Sequence, residues 1–354
     1  MVGIGTAKPT SMHRAFALVL MLTLVSACDN VDWGGADVAI VPPPPKAAGV
    51  PVSAEDLAEA LPEGPILFYV VPDESGGVMV PVGQIVGDSM LPLRAKKDIG
   101  LYAGRFIAAH MRRGAEFALY RNGARVGTFV VQSATQPAAN ACPALPTARG
   151  TLELSSGAES IAEFLAIAKP HAPEIRRQLD YATEPARSMQ VIAPILAERM
   201  IRARRAELPG NWQRAMVQLK PFPIANARDA GFAATFLIGD NLARGGDNLG
   251  YSLFFLGIPG PQFGYDTVFV KFTHYPTAGK AAPRVVDILD WNRDGQVDLL
   301  LQLYGINDTW FEAVGLSQRG EWRGTFRDRC DQPTAQSTIP VPDTTRVEGD
   351  TVSR

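Results

Sequence analysis

Residues 285–303 read Val-Val-Asp-Ile-Leu-Asp-Trp-Asn-Arg-Asp-Gly-Gln-Val-Asp-Leu-Leu-Leu-Gln-Leu. Two short apolar runs flank a polar turn, which is the pattern of two β-strands joined by a loop. Within the turn, oxygen-bearing side chains stand at relative positions 1, 3, 5 and 9, and these are Asp290, Asn292, Asp294 and Asp298. Gly295 stands at position 6, where it allows the chain to bend sharply. The rest of the chain is best understood from this strand–loop–strand unit.

Alternating oxygen ligands around a sharp bend suit Ca²⁺, because this ion takes six to eight oxygens at about 2.3–2.6 Å. Gln296 can add its backbone carbonyl, and Asp298 can close the ring directly or through water. The sequence therefore predicts a calcium site formed by Asp290, Asn292, Asp294, Gln296 and Asp298. The alternative is a hairpin turn that binds nothing, since Asp, Asn and Gly also dominate turns for conformational reasons.

The segment does not fit an EF-hand, because position 12 is Leu301 rather than Glu and both flanks are β-like. It resembles the strand–loop–strand calcium site of FG-GAP and VCBS-type repeats, which occur in integrin α-subunit propellers and in many secreted bacterial proteins. The resemblance is confined to residues 285–303 and implies a blade-like sheet around the loop. A complete propeller would need several similar blades, and only one clear calcium loop is present in the sequence.

The N-terminal residues have the pattern of an export signal. Lys8 and Arg14 precede an uncharged apolar run at 15–25, which ends in Val-Ser-Ala-Cys28. This ending resembles the lipobox of bacterial lipoproteins and implies that residues 1–27 are removed and that Cys28 carries the lipid. An ordinary signal peptide is the alternative. The lipoprotein interpretation predicts that the protein is attached to the membrane through Cys28. It would then lie in the cell envelope of a bacterium and face the periplasm or the exterior.

Composition divides the remainder into five segments. Residues 28–62 contain four consecutive prolines at 42–45 and predict an extended tether. Residues 63–153 are rich in short β-runs, residues 154–210 in helical patterns and residues 211–330 again in β-runs. Residues 331–354 have few core-forming side chains and predict a disordered tail.

These segments predict an α+β fold that is mostly antiparallel β. We expect a small N-terminal barrel or sandwich, a helical middle, and a C-terminal β domain with one or more blade-like sheets. Helices are expected at 53–61, 158–168, 173–181 and 189–208, and 105–109 is expected as a strand. Residues 121–124, Arg-Asn-Gly-Ala, predict a hairpin turn.

The mature chain keeps two cysteines besides Cys28, namely Cys142 and Cys330. In an oxidising compartment, two such thiols are more often a disulfide than a metal or catalytic pair. The sequence therefore predicts a bond between Cys142 and Cys330.

Three further features have both a functional and a structural interpretation. The arginines at 199, 202, 204 and 205 form either an anion-binding patch or a solvated helix end. The repeated Gly-Asp-Asn-Leu at 239–242 and 246–249 is either a degenerate ion site or two polar turns. The aromatic residues near the loop either line a ligand face or pack in the core, and these are Trp291, Trp310, Phe311 and Trp322.

Catalytic motifs of the common hydrolases and phosphate-binding enzymes are absent from the sequence. The histidines at 110, 171 and 274 do not form a zinc-protease motif, and neither a Gly-x-Ser-x-Gly elbow nor a phosphate-binding loop occurs. A net charge of −2 gives no basic excess for nucleic acid. The sequence thus favours a non-enzymatic, calcium-stabilised binding or structural module with a protein or glycan partner, and the alternative is an envelope hydrolase with a structural calcium.

Overall fold

A computed structural model describes residues 60–95, 98–138, 141, 143–173, 182–225, 227–261, 264–329 and 339. The predicted signal segment, Cys28, the tether up to residue 59 and the disulfide pair Cys142 and Cys330 lie outside the described residues. The described chain is mostly antiparallel β, with one closed barrel and two four-stranded sheets. This confirms the predicted α+β class in which β structure dominates.

The barrel is built from the first part of the described chain. Its strands are β1 (Ile66–Asp73), β2 (Gly76–Val86), β3 (Ser89–Leu91), β4 (Glu116–Arg121), β5 (Ala124–Thr135), β6 (Thr147–Leu154) and β7 (Phe164–Ala168). The order is β1-β7-β4-β5-β6-β2, and the pairing of β1 with β2 closes six strands into a ring, with β3 as a short extension of β2. Every pairing is antiparallel. Because the ring is closed, β3 is the one described strand of this sheet that pairs on a single side.

Helix α1 (Ile99–His110) packs onto the barrel core and corrects the strand predicted at 105–109. Asp98 caps the helix by accepting a hydrogen bond from the Leu101 amide at 2.9 Å. Tyr102 and Phe106, four residues apart, then share the helix face that is buried in the barrel core. The strand prediction was wrong because the helix capped by Asp98 continues through the short apolar run at 105–109.

Strand β7 corrects the helix predicted at 158–168. It pairs with β1 on one side and with β4 on the other, so the barrel closes only with a strand that follows residue 153. Its sequence, Phe-Leu-Ala-Ile-Ala, has no strong preference of its own, and pairing on both sides decides its conformation. The helix predicted at 189–208 is present as α2 (Arg187–Ala203), whereas most of 53–61 and 173–181 lies outside the described residues.

Two meandering four-stranded sheets follow. The first consists of β8 (Met216–Phe222), β9 (Gly231–Ile238), β10 (Tyr251–Pro259) and β11 (Tyr265–His274). The second consists of β12 (Ala282–Leu289), β13 (Asp298–Tyr304), β14 (Thr309–Leu316) and β15 (Trp322–Arg327). Short helices α3 (Trp212–Ala215) and α4 (Tyr275–Ala278) lie before β8 and after β11. In each sheet, consecutive strands are neighbours and run up and down, so both are blade-like sheets of the kind predicted for the C-terminal domain.

The elements stack in four layers. Helix α2 covers one face of the β8–β11 sheet. The other face of that sheet packs on the β12–β15 sheet, whose far side packs on the outside of the barrel. The second sheet is therefore buried on both faces, which explains why β13 carries three consecutive leucines at 299–301 rather than alternating apolar and polar residues.

Of the predicted tail at 331–354, only Ile339 is among the described residues. Its side chain is only 5% exposed and belongs to the cluster between the barrel and the second sheet. The disordered tail stays a prediction.

Candidate metal site

The predicted calcium loop connects β12 to β13, the two strands at the start of the second sheet. Two residues in it have left-handed backbone conformations, Gly295 with φ of 85° and Arg293 with φ of 65°. Glycine takes this conformation without strain, as the motif requires, whereas an arginine does so at a cost. The loop is therefore sharply bent at the position that the sequence predicted.

Carboxylates of the loop bind its own backbone. Asp290 accepts hydrogen bonds from the amides of Asp294 at 3.1 Å and Gly295 at 3.0 Å. Asp294 accepts one from the Gln296 amide at 2.8 Å and one from the Asn292 side chain at 3.0 Å. These are Asx-type turns, and they fold the loop around its acidic side chains.

Asp298 is the exception, because its Oδ2 is buried and has no hydrogen-bond partner among the described residues. The residue is 4% exposed. Burial raises the pKa of the Asp298 carboxyl to about 8, and the charges of Asp294 and Asp290 act in the same direction. A buried carboxylate oxygen without a partner is costly, so this position needs either a proton or a cation.

Asp290 responds to the same surroundings. Burial raises the pKa of its carboxyl and the charge of Asp294 adds to this, while hydrogen bonds from the loop amides oppose the shift. Repulsion among carboxylates on one loop is the electrostatic state that a divalent cation relieves.

Two residues at this site were not found by sequence reasoning. Asp88, in the turn between β2 and β3, also raises the pKa of Asp298 by its charge, and its carboxylate pairs with Arg323 at 2.9 Å. Gly315 lies on β14, where an added Cβ would come within 2.2 Å of Asp298 Oδ1. Both come from elements distant in sequence, and neither has a local pattern that marks it.

The structure brings the loop residues together only in part. Asp290, Asn292, Asp294 and the Gln296 amide are joined by hydrogen bonds, and Asp298 lies within range of the loop charges. Over the described ranges, no group of three His, Cys, Asp or Glu side chains has an arrangement that holds a metal ion. The donor set is instead carboxylate, amide and carbonyl oxygens, and its orphaned Asp298 oxygen fits a hard cation such as Ca²⁺.

The loop is fixed to the barrel at two points. Trp291 is buried in the cluster between the second sheet and the barrel. Arg293 donates from Nη2 to the carbonyl oxygens of His171 at 2.6 Å and Ala172 at 3.0 Å. Those carbonyls follow β7 and lie in and next to a 3₁₀ turn at Lys169–His171.

The repeated Gly-Asp-Asn-Leu segment holds a cation that the chain itself supplies. Lys280, which is 1% exposed, donates from Nζ to Asp240 Oδ1 at 2.6 Å and to the carbonyls of Ala243 at 2.7 Å and Gly245 at 2.9 Å. An ammonium group thus takes the oxygens that a metal ion would need. The interpretation as polar turns is the one that the geometry favours here.

The loop aromatics and the arginines mostly have structural contacts. Three of the aromatic residues are buried in the core, namely Trp291, Trp310 and Phe311. Trp322 packs on Phe222, with 5.4 Å between the ring centroids. Arg202 pairs with Glu198 and Arg204 lies over the Phe272 ring at 5.3 Å. These contacts favour the structural interpretation for the aromatic residues and for these two arginines.

Comparison with protein-family models, with curated proteins and with solved structures finds no match for this chain. Within the described ranges, no helix is long and apolar enough to cross a lipid bilayer.

Proposed function

We propose that this protein is a non-enzymatic, calcium-stabilised binding or structural module of the bacterial cell envelope, held to the membrane through an acylated Cys28. The observation that carries the calcium part is the buried, unpartnered oxygen of Asp298 beside the acidic β12–β13 loop. The ligand set proposed is that of the sequence motif, namely Asp290, Asn292, Asp294, the Gln296 carbonyl and Asp298.

Calcium supplies positive charge at this position and so relieves the repulsion among the loop carboxylates. Because the loop joins two strands of the sheet buried between the barrel and the β8–β11 sheet, its stability contributes to the packing of both neighbours. The role proposed for the ion is therefore structural, and the partner is a protein or a glycan bound elsewhere on the surface.

Thermal unfolding in millimolar calcium and in chelator tests the proposal, together with calcium binding by equilibrium dialysis. At about 10 mM calcium, a site with a Kd of about 10⁻⁴–10⁻³ M raises the unfolding free energy by about 1.4–2.7 kcal/mol. Asp294→Ala should abolish this increment, whereas Asp266→Asn, on the exposed surface of β11, should keep it. Equal melting temperatures in calcium and chelator, with no calcium bound, would make the loop a turn only.

The envelope part rests on the lipobox-like sequence and is tested by metabolic labelling with a fatty acid. Wild-type protein should carry the label and partition with membranes, and Cys28→Ser should do neither, since two acyl chains are what holds such a protein at the surface. Label on neither protein would indicate an ordinary signal peptide or a leader that is retained uncleaved.

A pull-down of the mature protein from envelope extract, run beside a broad hydrolase screen, tests the non-enzymatic part. A stable partner without turnover supports the binding module. Turnover of a substrate without a stable partner contradicts it.

A further inference from the structure

A pocket of about 370 Å³ opens at one end of the barrel, where β1, β4 and β7 meet the C-terminal end of α1. Ile66, Phe68 and Phe117 contribute its apolar wall and are members of the barrel core. A cavity of this size suits a small organic molecule, and barrel mouths are common places for such sites.

The polar lining of this pocket is cationic. Its one carboxylate among the described residues, Glu116, is paired with Lys169. Arg112 also lines the pocket and has no carboxylate partner within the described ranges. A guanidinium presents a planar pair of donors that matches a carboxylate. The positive charge of Arg112, unpaired among the described side chains, therefore favours an anionic ligand.

His110 adds an unsatisfied polar atom to the same lining. Its Nε2 is shielded from solvent and has no hydrogen-bond partner in the described part of the chain. The centroid of the His110 ring lies 4.8 Å from that of Phe106. Burial lowers the pKa of His110, and the charge of His171 adds a smaller effect in the same direction. A neutral imidazole carries one donor and one acceptor, and buried polar atoms normally have partners. A ligand bound in the pocket would supply the hydrogen-bond partner that His110 Nε2 lacks among the described residues.

We propose that this pocket binds a small monoanionic ligand with an aromatic or branched apolar body. Arg112 and His110 hold its carboxylate, and the apolar body packs against Phe68 and Phe117. A metal ion fits less well, because the lining offers two histidines and a carboxylate that is already paired with Lys169.

Phenylacetate is the probe, with neutral phenylacetamide and cationic phenethylamine as matched controls. Binding to the mature protein is followed by NMR of labelled histidine rings, and His274, at the end of β11, serves as the internal reference. Phenylacetate should shift the His110 and His171 signals saturably, with a Kd of about 1 mM, as for a fragment-sized ligand. The two controls should shift neither signal.

Two variants test the residues, each with a control on the same surface. Arg112→Glu should weaken phenylacetate binding at least about tenfold, whereas Arg113→Glu, which does not line the pocket, should leave it unchanged. Ala109→Trp should block the pocket, and Ala108→Trp, also exposed on α1, should not. The second pair keeps the test valid if the charge reversal impairs folding.

Three outcomes would overturn the proposal. One is equal histidine shifts with phenylacetate and phenylacetamide. Another is equal phenylacetate affinity in the pocket variants and their controls. The last is a response of His110 and His171 to Zn²⁺ alone with none to phenylacetate, which would make the pocket a metal site.

Discussion

Arg293 Nη2 lies 2.6 Å from the carbonyl oxygen of His171, and this hydrogen bond joins the apex of the acidic loop to the rim of the barrel pocket. The same guanidinium also donates to the Ala172 carbonyl. Since Arg293 has a φ of 65°, the contact is made from a backbone conformation that arginine adopts only at a cost.

Replacing Arg293 separates the effect of its hydrogen bonds from the effect of its strained backbone. Arg293→Ala loses the donor and keeps the strained backbone, whereas Arg293→Gly loses the donor and relieves the strain. We expect the glycine variant to be more stable than the alanine variant by about 1 kcal/mol in urea unfolding. A glycine variant no more stable than alanine would mean that φ at 293 relaxes without the guanidinium contact.

Asp298→Asn distinguishes a cation site from a turn. In chelator at pH 8 we expect the variant to be more stable than wild type by about 1–3 kcal/mol, because the amide replaces a buried carboxylate whose pKa is raised to about 8. The unfolding free energy of the variant should be the same in millimolar calcium as in chelator. Chemical unfolding of both proteins under both conditions measures this, and a calcium increment retained by Asp298→Asn would remove Asp298 from the ligand set.

Gly315→Ala tests the space that Asp298 occupies. The added Cβ would meet Asp298 Oδ1 at 2.2 Å, so we expect a loss of about 1–3 kcal/mol in unfolding free energy and a smaller calcium increment. Gly210→Ala, where an added Cβ meets nothing within 4 Å, is the control and should be close to neutral. Identical behaviour of the two variants would show that β14 shifts freely to make room.

Glu163 provides a pH test of the junction between barrel and second sheet. It accepts hydrogen bonds from Arg284 at 2.6 and 2.7 Å and from the Tyr69 hydroxyl at 2.8 Å. Burial is the largest single effect and on its own would raise the pKa of Glu163. The charge and hydrogen bonds of Arg284, the charge of Arg121 and the Tyr69 hydrogen bond together outweigh it and hold the pKa below the usual value. The stabilisation is therefore fully present above the unfolded pKa of about 4.3 and is lost as pH falls through the folded pKa.

Glu163→Gln should cost about 3–5 kcal/mol at pH 7, since it leaves Arg284 buried without its anion. The difference between wild type and variant should shrink as pH falls below about 4. Urea unfolding from pH 3 to pH 7 measures it, with Glu153→Gln on the exposed face of β6 as control. A difference that stays constant over this range would contradict the ionised pair.

The predicted disulfide is tested by mass spectrometry of protein taken from the envelope. One peptide should link Cys142 and Cys330, and reduction should add two hydrogens. Cys142→Ser should then lower the unfolding free energy by about 2–5 kcal/mol. Two free thiols in the isolated protein would reject the bond.

The strands of the second sheet and the bend at Gly295 were predictable because local pattern decides them. Residues 299–304 are apolar except for Gln302 and put leucines on both faces of the sheet, and Gly295 stands where the chain turns with positive φ. The hairpin at Asn122 and Gly123, with φ of 50° and 74°, was predictable for the same reason.

Long-range pairing decided what sequence reasoning missed. Strand β7 is a strand because β1 and β4 flank it, and the cap at Asp98 outweighed the short apolar run that followed it. The place of Gly315 beside Asp298 and the pocket between α1 and β7 depend on the packing of distant elements. No local motif encodes such relationships.

The apolar sequence that lets β13 be buried on both faces also affects how readily the unfolded chain aggregates. Leu299, Leu300 and Leu301 form a continuous apolar run that the unfolded chain exposes to neighbouring molecules. Asp298 at one end and Gln302 at the other act as gatekeepers, because charge and polarity interrupt stacking of such runs between molecules. The carboxylate that is costly inside the native fold thus protects the chain from aggregation until the sheet closes around it.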